Sequence, residues 1–201
     1  MTALQSVTLG VDDAEASEAF LKEAFDLGDT VRAAESHDST TGFRGFTLSL
    51  LVSQPSTVDS LVGSALDAGA TALKPVAKSF WGYGGVVQAP DGTIWKVATS
   101  SKKDTGPATR QIDDIALLLG VADVKATKRF YVDHGLTVAK SFGSKYVEFE
   151  SASHLKLALY GRRALAKDAG VPPEGSGSHR IVIGSDTGPF TDPDGFVWET
   201  V

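Results

Sequence analysis

Two copies of one short motif carry the residues of this sequence that could do chemistry, and they differ at one position. The first copy is QAPDGTIWKV at residues 88–97, and the second is TDPDGFVWET at residues 191–200. Pro, Asp, Gly and Trp recur at the same spacing, but the next residue is Lys96 in the first copy and Glu199 in the second. A carboxylate can bind a divalent metal ion, whereas a protonated lysine is repelled by one. This position therefore bears on whether the chain is a metal enzyme or a binding protein.

The residues that both copies share predict a structure and not an activity. Pro and Gly favour a tight hairpin turn, and the Asp between them can accept a hydrogen bond from the backbone of that turn. The Trp is expected to pack on the outer side of the sheet. A chain can therefore keep this PDG turn, at residues 90–92 and 193–195, without keeping the carboxylate that follows it.

The segment SFWGYGG at residues 79–85 is the strongest candidate for ligand binding. Phe80, Trp81 and Tyr83 lie between glycines, so large rigid rings occur where the backbone allows a close approach. Such rings suit a flat, aromatic ligand. The alternative is that they pack between two parts of the chain or in a dimer. Tyr160 is a further candidate for the wall of a binding site.

Composition excludes several classes of partner. The net charge is −6 and no basic block is present, which argues against nucleic acids and anionic membranes. The chain has no cysteine, so disulfides and thiolate chemistry are excluded. No apolar run approaches the roughly 20 residues of a membrane-spanning helix. The first residues, MTALQSVTLG, lack the pattern of a secretory signal. We therefore expect a cytoplasmic protein that acts on small molecules.

An internal repeat divides the chain into two halves. VTLGVDDAEASEAF at residues 7–20 and ALLLGVADVKATKRF at residues 116–130 share Gly, Val, Asp, Ala and Phe at a constant offset. Both halves thus begin alike, and the PDG turns show that they also end alike. The sequence predicts one domain over residues 1–100 and another over residues 110–201. The polar residues 101–109 are expected to link them.

Each half is predicted to open with a strand and a helix, and the helices have recognisable ends. Asp13 and Asp123 are plausible N-caps, because a short side-chain oxygen can accept from the first unpaired amides. A second helix is predicted in the first half, from Ser56 to about Ala68, with a capping box formed by Ser56 and Asp59.

The middle of the second half is predicted to differ from that of the first. Alternating residues predict strands at residues 145–151 and 154–161. A short helix is expected to follow and to end at Gly170. Each half is therefore predicted to lack approximately the strands and helices that the other half retains.

A strand, a helix and three or more strands, occurring twice and ending in PDGxxW, resemble the vicinal oxygen chelate (VOC) superfamily. It includes glyoxalase I, bleomycin-resistance proteins, fosfomycin-resistance enzymes and extradiol dioxygenases. The most specific stretches are residues 58–98 and the tail DPDGFVWET. The resemblance implies an α+β fold of two tandem glyoxalase-like (VOC) domains, built from βαβββ modules whose curled mixed sheets form cups. Two modules together would build one site.

The resemblance also implies where a metal ion would bind. In that superfamily the ligands come from the first, fourth, fifth and last strands of a cup, and the ion holds two adjacent substrate oxygens. In the first half these positions fall near Ser6, at residues 44–46 and at Lys96. None of these is an ordinary ligand, so no metal is expected there.

The second half matches the ligand pattern in part. Its positions offer Asp114, His179 and Glu199, with Lys156 at the remaining one. Asp, His and Glu together resemble the facial triad of non-haem iron or manganese sites. Iron, manganese, zinc or nickel could therefore be held in the second half, although a protein without a cofactor is the favoured expectation.

Three functions are compatible with these features. The favoured one is metal-independent binding, or sequestration, of a small aromatic molecule such as an antibiotic, in contact with Phe80, Trp81, Tyr83 and Tyr160. The alternative is a metal-dependent lyase, isomerase or dioxygenase that uses one site in the second half. The third is a scaffold of two degenerate cups that acts only as an oligomer, because shortened modules leave edge strands free to pair in a homodimer. Whether the protein is an enzyme is left open, as is whether the halves form separate cups or a composite one.

Overall fold

The computed structural model describes residues 4–201, which form a mixed α+β fold as predicted. The helices are α1 (Ala14–Ala24), α2 (Pro55–Asp67), α3 (Val124–Asp133) and α4 (Arg162–Ala169). The strands are β1 (Leu4–Val11), β2 (Val31–Glu35), β3 (Thr40–Gly42), β4 (Phe46–Leu51), β5 (Thr71–Ser79), β6 (Gly82–Gln88), β7 (Ile94–Thr99), β8 (Asp114–Val121), β9 (Val138–Ser141), β10 (Tyr146–Phe149), β11 (Leu155–Gly161), β12 (Gly175–Gly177), β13 (Ile181–Ser185), β14 (Phe190–Thr191) and β15 (Val197–Thr200). Within these residues no helix is long and apolar enough to cross a membrane.

The larger sheet has eight strands and contains two complete βαβββ modules. Its strand order is β5, β6, β7, β4, β8, β11, β10, β9. One module runs from β4 through α2 to β7, and the other runs from β8 through α3 to β11. In each module the first strand lies parallel to the last, and the two modules join where β4 pairs antiparallel with β8. The predicted module is thus present twice in one sheet.

The smaller sheet has five strands and contains two shortened modules. Its order is β14, β15, β13, β1, β2, and the modules join where β1 pairs antiparallel with β13. One module keeps its first strand and helix, and the other keeps its first strand and the PDG turn. A two-stranded sheet of β3 and β12 forms a further contact between the halves.

Both main sheets combine strands from both sides of residues 101–109. The cups are therefore composite, which answers the question that the sequence left open. The predicted bounds of the two domains, residues 1–100 and 110–201, stay a prediction.

Alternate residues of strands from both sheets meet in one hydrophobic core. Ile115, Leu117 and Leu119 of β8 belong to this core, together with the two tryptophans of the PDG motifs, Trp95 and Trp198, which are both 0% exposed. Because side chains alternate along a strand, the intervening residues of β8 face the other way. The face opposite the core in the larger sheet is called the cup face below.

The ends of the helices confirm two predicted caps and correct a third. The Asp13 side chain accepts from the amide of Ala16 at 2.9 Å, and Asp123 caps α3 in the same way. The predicted capping box of Ser56 and Asp59 is wrong, because α2 begins one residue earlier with Pro55 and its N-cap is Gln54. The amide of Ser56 instead donates to Asp104 at 2.7 Å.

The Gln54 side chain, at the start of α2, binds three residues of the predicted linker. The Gln54 Oε1 atom accepts from the amides of Thr105 and Gly106 at 2.9 and 3.1 Å. Its Nε2 atom donates to the carbonyl oxygen of Pro107 at 2.7 Å. The connection between the halves is therefore a structured part of the fold.

Candidate functional site

Helix α4 covers one end of the cup face of the larger sheet. Leu165, Ala166 and Ala169 are at most 2% exposed and pack with Val86 and Ile94 in a second, smaller apolar cluster. The helix ends at Gly170, which has a φ of +81°. Apolar residues on the cup face thus pack against a helix of the same chain.

Lys96 and Lys74 hold the last turn of α4 in place. The Lys96 Nζ atom lies 2.8 Å from the Asp168 carboxylate, and the side chains are 33% and 47% exposed. The Lys74 Nζ atom donates to the carbonyl oxygens of Lys167 and Asp168 at 2.8 and 2.6 Å. These carbonyls lie at the C-terminal end of the helix, where a cation is favourable. The residue that replaces the carboxylate of the first PDG motif therefore anchors α4.

A row of four residues crosses the cup face and begins and ends at Lys96 and Lys156, two positions that the resemblance assigned to metal ligands. Lys96 on β7 lies opposite Ser49 on β4, Ser49 lies opposite Ala116 on β8, and Ala116 lies opposite Lys156 on β11. These four strands are the first and last strands of the two complete modules. This row offers two ammonium groups, one hydroxyl and one methyl group, and these groups are not the ligands that a divalent metal ion requires.

The predicted metal ligands Asp114, His179 and Glu199 lie in different parts of the structure. Asp114 is on the larger sheet and accepts from Lys156 at 2.7 Å. Glu199 is exposed on the smaller sheet, in register with Gly184. Across residues 4–201, no group of three or more His, Cys, Asp or Glu side chains is placed to hold a metal ion. The sequence could not indicate this separation, because the three residues are far apart along the chain.

His179 packs as a structural residue between β4 and the second PDG turn. Its ring stacks on Phe196 with a centroid distance of 3.9 Å and an interplanar angle of 15°. Its Nδ1 atom lies against the carbonyl oxygen of Arg44, and its Nε2 atom lies 2.9 Å from that of Asp194. Both ring nitrogens of His179 thus lie against backbone carbonyl oxygens of the protein.

Phe80 and Trp81 form an exposed aromatic pair at the turn between β5 and β6. The side chains are 82% and 81% exposed, and the rings meet edge to face at 5.0 Å. Tyr83 lies on the next strand, and its hydroxyl donates to Asp59 at 2.8 Å. That hydrogen bond, followed by burial, raises the pKa of Tyr83 above its usual value.

Tyr160 lies away from this pair, in the cluster beneath α4. Its ring packs edge to face on Tyr146 at 4.9 Å. Burial, with a smaller contribution from the charge of Asp168, raises the pKa of its hydroxyl. The four aromatic residues predicted to contact a ligand therefore do not form one wall.

A cavity of about 340 Å³ connects Trp81 with the Lys96–Asp168 ion pair. We call it the β5–β7 cleft; its lining includes Trp81, Tyr83, Gly84, Lys74, Lys78, Lys96 and Asp168. Gly84 is required there, since a Cβ atom would lie 2.7 Å from the carbonyl oxygen of Val97. Lys74, Lys78 and Asp168 were not singled out by the sequence. Lys96 could be found from the sequence, because it replaces the carboxylate that follows the tryptophan in the second PDG motif.

Another cavity, of about 500 Å³, lies between α1 and the first PDG turn. Its polar lining is mainly acidic, with Asp12, Asp13, Glu23 and Asp91. None of the aromatic residues singled out in the sequence lines it, and its own aromatic residue, Phe20, is 5% exposed and belongs to the core. The β5–β7 cleft is therefore the better candidate for an aromatic ligand.

Comparison with solved structures identifies the fold. No protein-family model and no curated protein sequence matches the chain. The chain is similar to the V278E mutant of glyoxalase I from Zea mays, with a TM-score of 0.65 and 16% identity over 100% of this chain and 92% of that chain. Glyoxalase I from the same plant has a TM-score of 0.63 and 15% identity, over 100% of this chain and 92% of that chain. A candidate dioxygenase from Bacillus subtilis has a TM-score of 0.54 and 11% identity, over 90% of this chain and 69% of that chain. The chain therefore has the glyoxalase I fold over its whole length, as the resemblance predicted.

Proposed function

We propose that this protein binds a small aromatic molecule in the β5–β7 cleft without a metal ion. An antibiotic held by sequestration is one example of such a ligand. The observation that carries the proposal is the Lys96–Asp168 ion pair at 2.8 Å, because it uses a metal-ligand position to fix α4 in the cup. A glyoxalase-like cup with that change keeps a shaped surface and loses the donors for metal-assisted chemistry.

Trp81 supports an aromatic ligand. A tryptophan that is 81% exposed leaves a large apolar surface in water, and burying such surface is favourable by about 25 cal/mol per Å². The ring lines the cleft beside three lysine side chains. The glycines of β6 allow a flat molecule to lie close to the sheet. Trp81 is therefore placed to stack on a ligand that enters from solvent.

The arrangement of the tryptophans gives a direct test. Trp95 and Trp198 are fully buried, so Trp81 is the tryptophan that a ligand in the cleft would quench. We expect saturable quenching by one equivalent of an aromatic ligand, with the same affinity before and after treatment with a chelator. Trp81→Ala should weaken binding measured by calorimetry about tenfold or more.

Phe142→Ala is the matched control, since Phe142 is also an exposed ring, at 65%, but lies outside the cleft. The Phe142→Ala variant should bind the aromatic ligand with the same affinity as the unaltered protein.

The metal-dependent lyase, isomerase or dioxygenase is the competing function. Turnover that a chelator abolishes, and that Glu199→Ala also removes, would contradict the binding proposal.

A further inference from the structure

The charge of the β5–β7 cleft is opposite to that of the whole chain. Three ammonium groups line it, those of Lys74, Lys78 and Lys96, against the single carboxylate of Asp168. The chain as a whole carries a net charge of −6. The cleft is therefore a basic site on an acidic protein, which favours the approach of an anion.

The lysines of the cleft differ in how firmly they are engaged. Lys74 donates to two backbone carbonyl oxygens at the end of α4. Lys78 is exposed at the end of the cleft near Trp81. Lys96 holds a carboxylate from α4, and that carboxylate is 47% exposed. Returning Asp168 to water therefore costs little, since a half-exposed ion pair contributes only about 0–1 kcal/mol.

We propose that the ligand is an aromatic anion whose carboxylate, sulfonate or phosphate group takes the place of Asp168 at Lys96 while its ring stacks on Trp81. This inference rests on the proposed function and specifies the chemical class of the ligand. The exchange replaces one anion at Lys96 by another, so the ammonium group stays paired. Lys78 adds a further cation to the same cleft. Asp168 is thus a competitor that the chain itself supplies.

If Asp168 competes with the ligand for Lys96, its substitution should strengthen ligand binding. Removing the Asp168 carboxylate should raise the affinity for an anion, although Asp168 lines the cleft. Asp168→Asn keeps the backbone carbonyl to which Lys74 donates, and it removes a negative charge from a helix C-terminus, where such a charge is unfavourable. The variant is therefore expected to fold with α4 in place. Lys96→Gln should do the opposite and weaken the binding of the anion.

The test compares three probes with the same ring system, 2-naphthoate, 2-naphthamide and 2-naphthylmethylammonium, by titration calorimetry. We expect naphthoate to bind about tenfold more tightly than naphthamide and the ammonium compound to bind most weakly. Asp168→Asn should tighten naphthoate about two- to fivefold and leave naphthamide unchanged. Lys96→Gln should abolish the preference for naphthoate. Lys22→Gln, which removes an exposed lysine elsewhere on the surface, should change nothing.

The outcomes separate this inference from the proposed function. If naphthamide or the ammonium compound binds as tightly as naphthoate, an aromatic site exists but its ligand is not an anion. If Asp168→Asn leaves the naphthoate affinity unchanged, the exchange at Lys96 is wrong. If none of the three probes binds at millimolar concentration, both the inference and the proposed function are overturned.

Discussion

Asp192 is a buried carboxylate at the second PDG turn, and it organises the residues around it. It is 5% exposed, and its Oδ1 atom accepts from the amides of Asp194 and Phe196 at 2.9 and 2.8 Å. Its Oδ2 atom accepts from the hydroxyl of Tyr131 at 2.5 Å, and that hydroxyl in turn accepts from the indole of Trp198. Burial raises the pKa of the Asp192 carboxyl above its usual value, while the hydrogen bonds from Tyr131 and Phe196 oppose that shift.

The raised pKa of Asp192 predicts a pH dependence of stability. The folded protein keeps this proton at a pH where the unfolded chain, with a carboxyl pKa of about 3.9, has lost it. The stabilisation is therefore complete below about pH 4 and is lost as pH rises through the raised pKa. Asp192→Asn should remove this contribution to the pH dependence of the free energy of unfolding. Urea unfolding of both proteins between pH 4 and pH 8 measures it, and Asp67→Asn on the surface serves as control.

If the free energies of unfolding of Asp192→Asn and of the unaltered protein run parallel over that range, the assignment to Asp192 is wrong. The Asp67→Asn profile should follow that of the unaltered protein.

Two local roles of residues, the helix caps Asp13 and Asp123, were predicted from the sequence, and distant partners were not. Asp13 and Asp123 cap helices through amides two or three residues away, so the neighbouring sequence contains all the information. Lys96 was recognised as a replaced carboxylate, but its partner Asp168 lies 72 residues further along the chain. No pattern near either residue specifies that pair. The candidate site depends on it, and for that reason the cleft was found only in the structure.

At the scale of elements, α4 depends on the glycine that ends it. Gly170 has a φ of +81°, and a Cβ atom there would lie 3.1 Å from the Lys74 side chain. Gly170→Ala should therefore destabilise the protein by about 1–2 kcal/mol, from backbone strain at a positive φ. Because Lys74 binds the last turn of α4, we also expect faster hydrogen exchange of the α4 amides.

Gly63 in α2 provides a matched control. It has an ordinary helical backbone, and a Cβ atom added there meets nothing within 4 Å. Gly63→Ala should stabilise the protein by about 0.5–1 kcal/mol, since alanine favours a helix interior. Equal effects of the two substitutions in urea unfolding would show that α4 does not rely on its glycine.

The elements themselves were largely predicted, whereas their arrangement was not. Alternating residues indicated the strands at 145–151 and 154–161, and the structure has β10 and β11 there. The short helix ending at Gly170 is also present. Alternation determines which face of a strand is apolar, but it does not determine which strand lies beside it. The pairing of β4 with β8 and the position of α4 on the cup face could therefore not be read from the pattern.

At the scale of the whole molecule, the shared sheets predict cooperative unfolding. Each sheet loses part of its strands if either half of the chain unfolds, so neither half is expected to be stable alone. We expect a single calorimetric transition whose calorimetric enthalpy equals the van't Hoff enthalpy. Two separate transitions would instead support independent domains at residues 1–100 and 110–201.

The homodimer that the sequence allowed stays a prediction at this scale. The outer strands of the larger sheet are β5 and β9, and the edge at β5 carries Lys74, Pro75 and Lys78. Lysine and proline on an edge strand disfavour pairing with another chain. A scaffold that acts only as an oligomer is therefore not favoured at that edge.

The pairing of β1 with β13 has a consequence for the order of events during synthesis. The larger sheet has all its strands once residue 161 has been made, whereas Leu9 of β1 pairs with Ile181 near the end of the chain. On the ribosome, β1 emerges well before its antiparallel neighbour β13, which is separated from it by residues 12–180. Contacts so distant along the chain form slowly. Until β13 has emerged, the nascent protein therefore exposes the edge of β1 that β13 later covers.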